Sequence, residues 1–439
     1  MGKLGALLVF GFFAAGDLIS NNEKENWGYV PVRKDANMFW WLYYANSPTE
    51  NFTSLPLIMW LQGGPGGSSC GFGNFMEIGP FDTDLNPRNS SWVKAASLLF
   101  VDNPVGAGYS YTTNADAFAK DLTTVVTDMM ILLKEFFKMK PEFQNIPFYI
   151  FSESYGGKMA AAISLELIKA AQLNEIKCHF AGVALGDSWI SPLDSVLSWG
   201  PYLYSISLLD DQGLVEVNSY AEEVKAAIEA GNYRKATERW GMTEKIVELN
   251  TDGVNFYNIM TKEAELVSPQ LTPVMRNYQL VSLYQRHVSP MQRTSLESLM
   301  NGPIRKKLKI IPDFVKWGGQ SGDVFSNMEG DFMKPVIDII DKLLLAGVNV
   351  TVYNGQLDLI VDTLGQEMWV KKLKWPGLST FSSLRWKPVY TPSRAKDTAA
   401  FYKQYQNFAF YWILKAGHMI PSDQGEMALK LLQMVTGQV

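Results

Sequence analysis

The sequence predicts an α/β fold in which a mostly parallel central sheet is interrupted by a helical insertion. Short, nearly unbroken apolar runs recur at wide spacing, amphipathic helical patterns lie between them, and one long stretch, residues 193–322, has helical patterning but no core strand. Apolar runs without alternation suit strands buried on both faces, as when helices cover a parallel sheet, and strands alternating with helices define the α/β class. With 439 residues, 47% of them hydrophobic, the chain can bury a sizeable core.

In chain order, residues 1–16 place Lys3 ahead of an apolar run that ends in small residues, which reads as a signal peptide. Entry to the secretory pathway follows as an expectation, with secretion or a lysosomal destination and glycosylation of the Asn51, Asn89 and Asn349 sequons. No later apolar run approaches the ~20 residues that span a bilayer. Residues 27–32 and 38–44, rich in aromatic and β-branched side chains, predict a hairpin. Core strands are then expected at 55–61, 96–101, 147–151, 180–185, 348–353 and 408–414, and helices at 115–138, 158–171, 331–345 and 423–435. The core therefore divides into residues 27–192 and 323–439 around a helical cap at 193–322, a stretch that could also be a separate domain.

Several function classes are excluded early. A net charge of −5 with scattered Lys and Arg lacks the footprint of a nucleic-acid binder. Only Cys70 and Cys178 occur, so no disulfide framework holds the fold. No histidine spacing suggests a metal site, and the glycine-rich turn at 63–67 lacks the Gly-Lys-Ser/Thr ending of a phosphate loop, so neither metal nor cofactor is expected.

The strongest chemical signal is the strand, turn and helix around Ser152-Glu153-Ser154-Tyr155-Gly156-Gly157. A nucleophile elbow holds its serine in a strained turn and needs small residues two positions either side, which Ser152 and Gly156 provide. Three histidines compete for the role of base. His179 begins a strand, away from its active-site end, and His287 falls in the insertion, whereas His418 follows the last strand. Asp358, just past the strand at 348–353, is the expected orienting acid, with Asp362 as its competitor. The order Ser154, Asp358, His418 is that of α/β-hydrolases. In it His418 is the general base and Asp358 fixes its tautomer. The glycines after Leu61 could expose a backbone N–H, making Gly64 and Tyr155 the expected oxyanion donors.

Residues 60–69, Glu77 to Pro80, 101–111, 152–157, 354–358 and 417–421 together resemble the serine carboxypeptidases over nearly the whole chain. That resemblance implies removal of C-terminal residues from peptides and proteins, favoured at acid pH, with Gln62, Glu77 and Glu153 holding the substrate's terminal carboxylate. It also implies two departures, since Gln62 stands where the family usually has Asn and Ser152 replaces the elbow's first Gly. These leave two alternatives open: a catalytically weak or inactive secreted binding protein on the same fold, or an acyltransferase.

Overall fold

Eleven strands form one mixed sheet in the computed structural model, which describes residues 25–262, 278–292, 294–394 and 396–439. The expected signal peptide lies outside these residues. The strands are β1 (Glu25–Arg33), β2 (Ala36–Tyr43), β3 (Leu57–Leu61), β4 (Ser97–Val101), β5 (Tyr111–Thr112), β6 (Pro147–Glu153), β7 (His179–Gly186), β8 (Asn349–Gly355), β9 (Lys387–Tyr390), β10 (Thr398–Tyr405) and β11 (Phe408–Ile413). Their order is β1-β2-β4-β3-β6-β7-β8-β11-β10-β9, with β5 paired to β2.

The run from β4 through β3, β6, β7 and β8 to β11 is parallel throughout, and the flanking pairs are antiparallel. Apolar content explains the centre. All five residues of β3, Leu57-Ile58-Met59-Trp60-Leu61, are buried, as are all five of β4. Strands covered on both faces carry such runs because each buried aliphatic side chain stabilises by about 1.5–3 kcal/mol.

Helices α1 (Leu122–Met139) and α2 (Tyr155–Gln172) pack against each other, and α2 also covers β6 and β7. Between β7 and β8 the chain runs through α3 (Pro192–Ser205), α4 (Asp211–Glu229), α5 (Tyr233–Thr251) and α6 (Tyr278–His287), followed by shorter turns. Strands β7 and β8 are nonetheless neighbours.

Some elements differ from expectation. The helix expected from residue 115 starts at Leu122, because the Asp121 side chain accepts the Thr124 N–H at 2.8 Å and caps it. The helix expected over 331–345 is interrupted, since Pro335 precedes Ile337–Leu345 and proline disfavours helix in the residue before it. β5, β9 and β10 were not anticipated. Cys70 and Cys178 are both free.

Candidate active site

Residues that carry the chemistry collect at the carboxyl ends of the parallel strands, where side chains from adjacent loops converge. Ser154 follows β6 with φ 60° and ψ −129°, a left-handed conformation that costs a non-glycine residue about 1–3 kcal/mol. Surrounding backbone holds it there. Its N–H donates to the Gly186 carbonyl at 3.0 Å, and its own carbonyl accepts the N–H groups of Gly157 and Trp189 at 3.0 and 2.9 Å.

Glycines make that turn possible. A Cβ on Gly156 would sit 2.3 Å from the Leu61 carbonyl oxygen, and one on Gly63 would sit 2.6 Å from Ser154 Cβ. Ser152, at the position where a glycine was looked for, tucks its hydroxyl against the Ala184 carbonyl at 3.2 Å. The extra atoms are therefore accommodated inside the sheet.

His418 Nδ1 lies 2.7 Å from Asp358 Oδ2, with both side chains buried. Asp358 also accepts the Val361 N–H at 3.2 Å. Asp362 is occupied elsewhere: it caps the helix Thr363–Val370 by accepting the Gly365 N–H at 3.0 Å and the Ser198 hydroxyl at 2.6 Å. His179 is exposed at the start of β7. The Ser154 hydroxyl makes no hydrogen bond among the described residues, so the side chain is placed by its backbone.

Gly64, with φ 112°, offers an N–H that has no hydrogen-bond acceptor among the described residues. Tyr155 opens α2, where first-turn N–H groups have no intrahelical partner. Both donors suit a developing oxyanion.

A second cluster lies alongside. The π-helical segment Ser69–Ile78, capped by the Ser68 hydroxyl on the Gly71 N–H at 2.9 Å, carries Glu77. Gln62 accepts the Trp60 indole N–H at 2.8 Å through Oε1, which turns its amide nitrogen toward Glu153 Oε1 at 2.7 Å. Neither oxygen of buried Glu77 makes a well-formed hydrogen bond, though the Glu153 carboxyl and the Gln62 amide both lie near it. Burial pushes the Glu77 carboxyl up to about 7, and burial together with the charges of Glu77 and Asp187 pushes Glu153 well above the carboxylate range. A proton shared by the two carboxyls satisfies both observations.

Three neighbours of the site carried no local sequence signal. Asp187 stands behind Asp358. Tyr257, from the helical stretch, lies against His418. Asp331, beyond that stretch, accepts the Tyr155 hydroxyl at 2.8 Å and pairs with buried Lys158 of α2 at 2.9 Å.

A family model described as serine carboxypeptidase matches residues 18–438. The chain is 65% identical over 438 residues to the retinoid-inducible serine carboxypeptidase of Mus musculus, covering 98% of this chain and 97% of the relative. It is 45% identical over 430 residues to serine carboxypeptidase-like 51 of Arabidopsis thaliana, covering 95% and 93%. The crystal structure of a prohormone-processing carboxypeptidase of Saccharomyces cerevisiae superposes with a TM-score of 0.81 over 95% of this chain and 92% of the other, at 22% identity, and so shares its fold, that of the α/β-hydrolases.

Proposed function

Because the chain belongs to the serine carboxypeptidase family and is a serine carboxypeptidase, we propose that Ser154 is its nucleophile, His418 its general base and Asp358 the acid that orients His418. Two observations carry this assignment: the buried 2.7 Å contact between His418 Nδ1 and Asp358, and the strained elbow that holds Ser154 at the end of β6.

With Nδ1 held by Asp358, Nε2 of His418 is the atom that takes the proton from Ser154 Oγ. Oγ then attacks the carbonyl carbon of the peptide's last bond, and the N–H groups of Gly64 and Tyr155 receive the oxyanion. Collapse breaks the C–N bond. His418 returns its proton to the leaving amino group, and the acyl group stays on Ser154 until water, deprotonated by His418, releases it.

Restriction to C-termini comes from Gln62, Glu77 and Glu153, which we assign to the substrate's terminal carboxylate. Gln62 has its amide N–H groups on that side, and the carboxyl pair holds a proton that it can donate. Two negative carboxylates would repel the ligand, so the arrangement works below the pair's upper titration and favours acid pH. We assign residues 193–322 to a cap over the site, supported by the placement of Tyr257 against His418 and of Val288 beside Gly64.

Passage through the secretory pathway rests on the apolar segment 1–16 and on the sequons. Asn51 and Asn89 are exposed acceptors, whereas the Asn349 amide already donates to the Ala181 carbonyl at 3.0 Å at the start of β8. Among the described residues no helix is long and apolar enough to cross a membrane. The deciding experiment compares a blocked dipeptide acid with its C-terminal amide at pH 5: the acid alone is cleaved efficiently, and equal rates would remove the carboxylate-recognition assignment.

A further inference from the structure

Asp187 follows β7 and is 1% exposed, with φ 41°. Its Oδ1 accepts the Gly355 N–H at 2.7 Å, at the end of β8 and three residues before Asp358. Its other oxygen, Oδ2, is buried with no donor in reach. Yet its carboxyl is within hydrogen-bonding distance of the Asp358 carboxyl, and atoms of Asp187, Asp358 and His418 all lie within 4.8 Å of one another. An ionised Asp187 would set Oδ2 against a second carboxylate with no protein donor to offset the repulsion.

We propose that Asp187 is a neutral carboxylic acid that donates its proton to Asp358, which makes it a positioning residue for the triad. One proton resolves every oddity of the site. It gives Oδ2 a partner, removes a like charge from beside Asp358, and ties the Asp358 carboxylate to β7 while Asp358 Oδ2 faces His418. The titratable groups around Asp187 are Asp358 after β8, Tyr353 within β8, Glu153 at the end of β6, Glu77 from the segment Ser69–Ile78, and His418 after β11; the charges of Asp358 and Glu77 oppose its ionisation, and the Gly355 N–H favours it. Burial and the Asp358 charge hold the Asp187 carboxyl well above the usual carboxylate range. Asp358, whose other side-chain contacts are the Val361 N–H and His418, is thereby fixed where it faces the imidazolium that forms during turnover.

Asparagine is the discriminating replacement. It tolerates the left-handed backbone at position 187, and its amide can accept from Gly355 with oxygen while donating to Asp358 with nitrogen, copying a neutral acid and not an anion. This inference rests on the triad assignment, and its test uses a readout that does not.

The infrared difference spectrum of native protein minus Asp187→Asn, taken in D2O at pH 7, should contain the carbonyl band of a protonated acid. Carboxylate bands in its place would overturn the proposal. In parallel, Asp187→Ala should lower kcat by on the order of ten- to a hundredfold with KM changed less than about twofold, and Asp187→Asn should recover most of that loss. An Asn variant no better than Ala would also overturn it. Should the Ala variant not fold, a kcat for Asp187→Asn within about tenfold of native supports the proposal and a larger deficit overturns it. Asp358→Asn separates the two readings: native kcat in that variant would remove the triad assignment, while the infrared band would still report the state of Asp187.

Discussion

The rings of Tyr257 and His418 lie 4.8 Å apart, and the Tyr257 carbonyl accepts the His418 N–H at 2.8 Å. A residue from the insertion thus forms one wall around the His418 imidazole. Its hydroxyl continues outward to His287 Nδ1 at 2.8 Å, and His287 Nε2 reaches Glu244 at 2.8 Å. Tyr257→Phe keeps the ring and loses the bond to His287. It should therefore cost about 1 kcal/mol of stability with kcat lowered less than about threefold. Tyr257→Ala should lower kcat at least tenfold, roughly 1.4 kcal/mol of barrier. Melting curves and steady-state kinetics check both, and a Phe variant as slow as Ala would put the hydroxyl into the chemistry.

Asp358 and Asp362 should separate cleanly. Asp358→Asn removes the acceptor for His418 Nδ1 and should cut both turnover and fluorophosphonate labelling of Ser154 by several orders of magnitude. Asp362→Asn loosens a helix cap and a contact with Ser198, so it should lower the melting temperature and leave labelling largely intact. The reverse ranking would move the orienting role to Asp362.

Acid pH should favour substrate binding through the Glu77 and Glu153 pair. With Glu77 raised to about 7, negative charge enters the pair as pH rises through that value, and the last proton leaves only at the higher titration of Glu153. KM for a peptide acid should climb between about pH 6 and 8, KM for the amide should change less, and Glu77→Gln should flatten the climb. A level KM for the acid would count against the assignment.

Folding stability should follow the same direction. Burial raises Glu77 from 4.5 and Asp362 from 3.8, each to about 7, and Asp102 from 3.8 to about 6. The native state therefore binds more protons than the unfolded chain across that interval. The associated stability is complete below the unfolded values and disappears as pH rises through the folded ones. Burial also lowers the His287 imidazole, which opposes the trend on the acid side of 6.5, and Lys158, lowered to about 8, opposes it near the upper limit, but Glu153 and Asp187, both raised, join the three carboxyls. Scanning calorimetry should find a higher melting temperature at pH 5 than at pH 7.5.

Gly63 offers a steric test. A methyl group there would meet Ser154 Cβ at 2.6 Å and the Glu153 carbonyl oxygen at 3.0 Å, so the nucleophile must shift. Gly63→Ala should lower kcat about a hundredfold while far-ultraviolet circular dichroism stays native. Retained activity would mean that the elbow is softer than its packing implies.

The central strands were legible because they are short apolar runs, and the elbow because strand, small residues and helix adjoin in sequence. β10 was not, since its eight residues mix Lys403, Gln404 and aromatics and only Ala400 is buried. β5 is two residues long, too short for any pattern. Ser154, Asp358 and His418 could be picked out because each follows a recognisable strand. Asp187 follows one too, yet its approach to Asp358 depends on β7 and β8 being neighbours, which no local pattern encodes. Tyr257 sits in a turn after α5 and His287 at the end of α6, and their link to each other and to His418 is made by tertiary packing that no local pattern encodes.

The pairing of β7 with β8 also orders events on the ribosome. β7 ends at Gly186 and β8 begins at Asn349, so the nucleophile is synthesised with its strand and helix long before Asp358 and His418 emerge. At about 5–20 residues per second, the growing chain carries Ser154 for tens of seconds without its base. During that interval no Ser-His-Asp relay can assemble. On the proposed triad, reactivity toward neighbouring nascent peptides is therefore withheld until the C-terminal strands close the sheet.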